Sequence, residues 1–201
     1  MKKTVVQYRK PGRGRALISL LAVLVLAQFS PSALSAKSKG DVEIRSAYAE
    51  VEDGVYYIRA RIDYTLGSSA LEALENGVTL NIELQVDVNR VRRFVWDDTV
   101  ADLSQRYQLS FHALTQRYLV ANLNSGERES FGDLSSALVH LGDVGHLPVI
   151  DQALLDQGDR YRVGLRAVVD VKELPGPLNL LSRVWGNWRI ASEWYTWPLR
   201  Q

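Results

Sequence analysis

The sequence contains no cysteine, only three histidines and a single methionine, Met1. Without cysteine there is no disulfide, no thiol nucleophile and no residue to carry a lipid after a leader, so an exported domain of this sequence has to rest on its apolar core. Also missing are a Gly-x-Ser-x-Gly elbow, a glycine-rich phosphate loop and a dinucleotide fingerprint, the local signatures of three large enzyme classes. A catalytic triad assembled from distant segments leaves no such mark. No apolar run is long enough to cross a membrane comfortably. The longest, Ala16–Ala27, rises about 18 Å as a helix against a hydrocarbon core of roughly 30 Å.

That run belongs to a leader. Lys2, Lys3, Arg9, Lys10, Arg13 and Arg15 form a basic head, the apolar stretch follows, and small residues lead to Ser35-Ala36. This order predicts a secretory signal peptide over 1–36, cut after Ala36 or Ser35. The plainer reading, a retained anchor, is disfavoured by the short span and by Pro31. The expectation is a periplasmic protein with one domain over 37–201 and no stable transmembrane anchor after cleavage. Of the 24 basic residues six lie in the leader, which leaves 18 against 23 acidic residues, a net charge of −5. That balance removes the electrostatic footprint of a nucleic-acid binder.

Alternation of apolar and polar residues dominates the remainder. Val42, Ile44, Ser46 and Tyr48 alternate with Glu43, Arg45 and Ala47, and after Glu52-Asp53-Gly54 the series Tyr56, Ile58, Ala60, Ile62, Tyr64 continues, which predicts a hairpin. Leu80–Val88 and Tyr161–Val171 read as strands with one dry face. Arg90–Val100, Tyr107–Leu114 and Arg117–Leu123 read as further strands, with a turn at Asn124-Ser125-Gly126 and a last strand over Asn187–Pro198. Short helices are expected behind a Ser69/Glu72 capping box up to Gly77, between Asp133 and Gly142, from Pro177 to Gly186, and over Asp151–Gln157. The fold class is mainly β, an antiparallel β-sandwich or curved sheet with short helical insertions; the alternative is α+β with helices on one sheet face. Links between neighbouring strands are too short for parallel crossovers.

Few residues suggest chemistry. His112 lies in a strand-like run, His140 on the flank of a helix and His146 in a loop, and the spacing of the last two matches no metal motif. The plainer reading is three ordinary polar histidines. Asp97 and Asp98, with Asp102, could divide acid and base roles; adjacent residues in a strand point to opposite faces, so a turn that caps a backbone amide is the simpler account. No cofactor and no metal is expected. The arginines are more distinctive: beyond the leader there are 15, against three lysines. Arg59 and Arg61 share a strand face, as do Arg160, Arg162 and Arg166. Planar guanidinium forks suit an anionic partner or lipid head group, whereas cross-strand pairing with Glu83, Asp87, Asp63 and Asp170 is the structural explanation. Four of five tryptophans fall in the last segment, Trp185, Trp188, Trp194 and Trp197. Period 2 places Trp188, Ile190 and Trp194 on one face and Tyr195 and Trp197 on the other, either within a core or as an exposed aromatic surface. The candidate partner-binding residues are Arg59, Arg61, Arg160, Arg162, Arg166, Trp194 and Trp197.

A family resemblance rests on Ala73-Leu74-Glu75-Asn76-Gly77-Val78-Thr79-Leu80, Arg90-Val91-Arg92-Arg93 with Trp96, and Tyr107-x-Leu109. It continues through Gln116-Arg117-Tyr118-x-Val120 and Leu174-Pro175 to Ser192-x-Trp194-x-x-Trp197. In that order these pieces resemble the bacterial exported proteins grouped as domain-of-unknown-function family 4390, over nearly all of 42–199. The resemblance implies an exported, periplasmic protein of a Gram-negative bacterium and, by association, a role accessory to envelope signalling; it implies no activity, cofactor or catalytic residue. Three functions follow as expectations: a non-catalytic envelope domain that binds a protein or an amphiphile, a hydrolase using His112 or the Asp97 and Asp98 pair, or a structural domain that touches membrane or glycan through its C-terminal aromatics. The first is preferred, so the chain is not expected to be an enzyme.

Overall fold

A computed structural model of the chain describes residues 40–92, 97–171 and 189–200. They fall within one compact unit, Lys37–Gln201. The strands are β1 (Asp41–Glu52), β2 (Val55–Thr65), β3 (Leu80–Arg90), β4 (Asp98–His112), β5 (Arg117–Asn122), β6 (Arg128–Phe131), β7 (Asp143–Asp151), β8 (Tyr161–Val171), β9 (Arg189–Ala191) and β10 (Tyr195–Leu199). Two helices, α1 (Ser68–Glu75) and α2 (Leu134–Gly142), and a 3₁₀ turn, Gln152–Leu154, interrupt them. The expected class therefore holds: the fold is mainly β with antiparallel sheets.

One sheet has the order β1-β2-β7; the other runs β10-β8-β3-β4-β5-β6, with β9 also paired to β8. The hairpin at Asp53-Gly54 has both residues at positive φ, 50° and 80°, the turn whose twist matches that of its strands. Strand β3 lies between β4 and β8, and Leu80, Ile82, Leu84, Val86 and Val88 are all buried. They meet Val42, Ile44, Ile58 and Ile62 of the smaller sheet in one shared core. Helix α1 ends in a Schellman motif: Gly77 N–H donates to Leu74 C=O, Val78 N–H to Ala73 C=O, and Gly77 has φ 83°. Asp133 caps α2 by accepting from Ser136 N–H at 2.8 Å. The end of α2 passes directly against β2, where a side chain on Gly142 would collide with the carbonyl oxygen of Ile62.

Several expectations need correction. Arg90–Val100 is not a strand: Arg90 ends β3 and Asp98 begins β4. The Ser69/Glu72 capping box does not form. The N-cap is Gly67, with no side-chain bond, because the chain turns into α1 directly from β2. The helix expected over 151–157 is the end of β7 followed by a single 3₁₀ turn, with Asp151 accepting from Ala153 N–H. Strands β6 and β7 were not expected, and His146 sits in β7 rather than in a loop. The helix expected from Pro177 to Gly186 lies outside the described residues. Among the described residues no helix is long and apolar enough to cross a membrane.

Two strands also depart from simple alternation. In β1 the pairing slips by one residue between Ile44 and Ser46. Ala47 therefore turns inward, while Ser46 and Tyr48, expected on the side of Ile44, are exposed. The expected last strand is split. Val168 faces Ala191 but Leu165 faces Tyr195, so β9–β10 carries one residue more than β8 across the same interval. Both irregularities are β-bulges, which exchange the faces of everything beyond them.

Candidate functional site

The bulge between β9 and β10 is built by Ser192. Its N–H donates to Ala167 C=O at 2.9 Å, its hydroxyl accepts from Ala167 N–H at 3.0 Å, and the same hydroxyl donates to Glu193 C=O at 2.8 Å. The serine side chain thus stands in for the ladder bond that the extra residue displaces. The phase change sends Ile190 inward, half-buries Trp197 against the core and turns Trp194 out, so Ile190 and Trp194 do not share a face. Trp194 is 42% exposed. Its ring lies over Gly164, where an added Cβ would stand 3.2 Å from Trp194 Cε3, and the Arg166 guanidinium stands 5.9 Å from the ring centroid. Tyr195, 37% exposed, follows, its ring 5.9 Å from that of Trp197.

Trp194 and Tyr195 border a cleft of about 350 Å³ with the first residues of β1 on its other wall. Asp41 and Glu43 come from β1 and Glu193 from the bulge. Glu43 pairs with Arg45 at 2.8 Å; Asp41 and Glu193 have no ion pair among the described residues. Both strands flanking the cleft are edge strands: among the described residues β1 pairs only with β2, and β10 only with β8. Pro198 and the bulge blunt the edge of β10. The stretch of β1 before its own bulge, 41–44, is regular, and every second residue there directs its amide and carbonyl away from β2.

The sequence-selected arginines are dispersed and mostly engaged. Arg59 and Arg61 lie on the outer face of the small sheet. Arg59 pairs with Glu50 at 2.6 Å and Glu52 at 3.1 Å, and Arg61 with Asp143 at 3.7 Å. Those bonds hold the Arg59 guanidinium above its usual pKa range, the hydrogen bond to Glu50 contributing most. On β8, Arg162 meets Asp97 at 3.2 Å and Arg166 donates to Ser192 C=O at 3.3 Å beside Trp194. Arg160, just before β8, is exposed with no ion pair among the described residues. The pairing partners differ from those expected: Asp63 bonds Arg45, Glu83 accepts from Ser104, and Asp170 accepts from Asn81. Asp87 lies opposite Asp102.

The histidines and carboxylates proposed for hydrolysis are not gathered. His112 ends β4 and its Nδ1 lies 3.0 Å from Thr115 Oγ1. Asp97 accepts from Arg92 N–H and meets Arg162, while Asp98 pairs with Arg92, so both carboxylates are engaged where β4 begins. A histidine–carboxylate pair not anticipated from sequence does form: His146 Nε2 lies 3.0 Å from Glu52 Oε2 while its ring stacks on Tyr57 with centroids 3.8 Å apart. It sits on the open face of the small sheet, where all three groups are reached by solvent. His140 lies 3.3 Å from Glu129. No group of three or more metal-ligating side chains occurs among the described residues. Elsewhere, a groove of about 450 Å³ runs between the end of β2 and the helices, walled by Leu71, Leu134, Leu138 and the exposed Val139.

Asp41 and Glu193 escaped the sequence reading, and Tyr195 entered it only as an aromatic on the face opposite Trp194. Nothing local joins residue 41 to residue 193; only the bulge, invisible to alternation, turns Trp194 toward the same cleft. No curated protein and no solved structure matches the chain. The profile of the family described as Domain of unknown function (DUF4390) matches residues 39–198. With that match over most of its length, the chain belongs to the DUF4390 family.

Proposed function

We propose that the domain is an exported, non-catalytic module that binds a protein or amphiphilic partner in the cell envelope. The order of basic head, apolar run and small residues in 1–36 supports export. The observation that carries the binding reading is Trp194, half-exposed yet held over Gly164 beside a strand edge that is unpaired among the described residues. A large aromatic fixed in place at the surface is the kind of anchor around which recognition is built. The hydrolase reading has less to stand on, since His112 and Asp97 are committed to separate turns. The arginine faces offer less than their number suggests, because most of their charge is spent within their own sheets.

The test is a photo-crosslinking amino acid placed at Tyr195 in living cells, with the same group at Thr115 on the distant β4–β5 turn as reference. A discrete adduct from position 195, absent from 115 and lost with Trp194→Ala, is expected. Adducts that are identical from both positions sink the reading. Vesicles and glycan fragments added to the purified domain address the surface-contact alternative through tryptophan emission. In the same cells, fractionation and N-terminal sequencing check export: a periplasmic form starting at Ala36 or Lys37 is expected, and a full-length cytosolic protein removes the premise.

A further inference from the structure

We infer that the cleft between β1 and the β9–β10 bulge receives a basic side chain, lysine or arginine, from an extended segment of the partner. This rests on the partner-binding reading and narrows it to one chemistry.

Three features converge on that occupant. The cleft carries two carboxylates, Asp41 and Glu193, that make no ion pair among the described residues, although Asp41 lies within the field of Arg45, and a third, Glu43, paired with Arg45. Trp194 and Tyr195 border the same cleft, and a partly exposed aromatic ring suits the aliphatic stem of a long cationic side chain whose head reaches a carboxylate. Alongside runs the regular edge of β1 at 41–44, where an extended backbone can add hydrogen bonds, with its alternate side chains falling toward the cleft. Two cations are close: Arg45, which is shared between Glu43 and Asp63, and Arg166, which is held beside the indole by the Ser192 carbonyl.

The charge excludes the anionic partner that the arginine count suggests, at this position at least: a phosphate or carboxylate here would meet Asp41 and Glu193 unpaired. Two other openings, the apolar groove beside α2 and a hollow of about 670 Å³ between Gly54 and Gln152, show nothing that specifies an occupant.

The experiment is an NMR titration of the domain from Lys37 to Gln201 with a blocked hexapeptide alternating valine and lysine, and with its valine–glutamate counterpart. Shifts of the amides of 41–44 and of the Trp194 indole N–H are expected with the lysine peptide alone. Its affinity should fall at least fivefold in Asp41→Asn combined with Glu193→Gln, and should weaken between 50 and 300 mM salt. Asp143→Asn, an acid removed at the opposite edge of the small sheet, should leave it unchanged. Equal binding of the acidic peptide, shifts confined to the α2 groove or the Arg160 region, an unaltered affinity in the double variant, or no shift at millimolar peptide each overturns the proposal. If the proposal falls while the Tyr195 crosslink persists in cells, partner binding stands with a different chemistry; loss of both removes the two together.

Discussion

Replacing Gly142 by alanine should be costly although it is a helical position. In an exposed helix the exchange would gain about 1 kcal/mol from propensity. Here the new methyl group would be driven into the Ile62 carbonyl oxygen, with the carbonyl carbon at 3.2 Å behind it. The obstacle is backbone of β2, held on its other side by β1, so it has no rotamer to change. Relief requires α2 to lift from β2, disturbing Ala137 and Leu141, both buried. Overpacking of this kind costs about 3 kcal/mol when the neighbour does not yield, which leaves a net loss of about 2 kcal/mol after the propensity gain. For a domain of this size that corresponds to a fall in Tm of about 4–8 °C, or about 1 M in the urea midpoint. Gly145→Ala is the matched control, since nothing stands within 4 Å of the Cβ it would gain, and it should stay within about 0.5 kcal/mol of the parent. Indistinguishable urea midpoints for the two variants would refute the close approach of α2 to β2.

Other outcomes test other parts of the fold. Ser192→Ala leaves the buried Ala167 amide without its acceptor and should cost about 1–3 kcal/mol, with faster hydrogen exchange at Ala167; unchanged protection there would mean the bulge is not held by the hydroxyl. Tyr64 is buried and its hydroxyl has no hydrogen-bond partner among the described residues, a burial that also raises its pKa. Tyr64→Phe should therefore raise stability by about 1 kcal/mol, and a loss of that size would reveal a partner. The Glu52 carboxyl is held below its ordinary pKa, chiefly by the hydrogen bond from His146 with that from Arg59 adding, against a smaller effect of burial. A lowered folded pKa stabilises above the ordinary carboxylate range, and that contribution is lost as pH falls through the folded value. The urea-midpoint gap between parent and Glu52→Gln should accordingly be full at pH 6 and close toward pH 3; a gap that does not change with pH contradicts the assignment.

What the sequence reveals depends on how regular each element is. The hairpin with Asp53-Gly54 is legible because two positive-φ positions are met by the residue types that tolerate them. Strands β3 and β8 are legible because an uninterrupted alternation has one reading. Strand β7 hides because Gly145 and Pro148 break the pattern, and an edge strand with two register slips against β2 tolerates both. The two bulges conceal more. A single inserted residue reverses which of Ser46, Ala47 and Tyr48 is dry, and separates Ile190 from Trp194. Pattern counting cannot register an insertion whose partner strand is far along the chain. The same holds for the cleft, which joins the first and last strands, and for His146 and Glu52, which are 94 residues apart.

Strand β3 finds one neighbour, β4, almost at once, but its other neighbour, β8, ends at Val171, and the outer edge of β8 waits for residues 189–199. The middle of the larger sheet is thus completed only after those late residues have left the ribosome. Long-range pairings of this kind fold slowly, because loop closure precedes any reward. A nascent chain with this topology leaves the flank of its central strand open until the closing strands emerge.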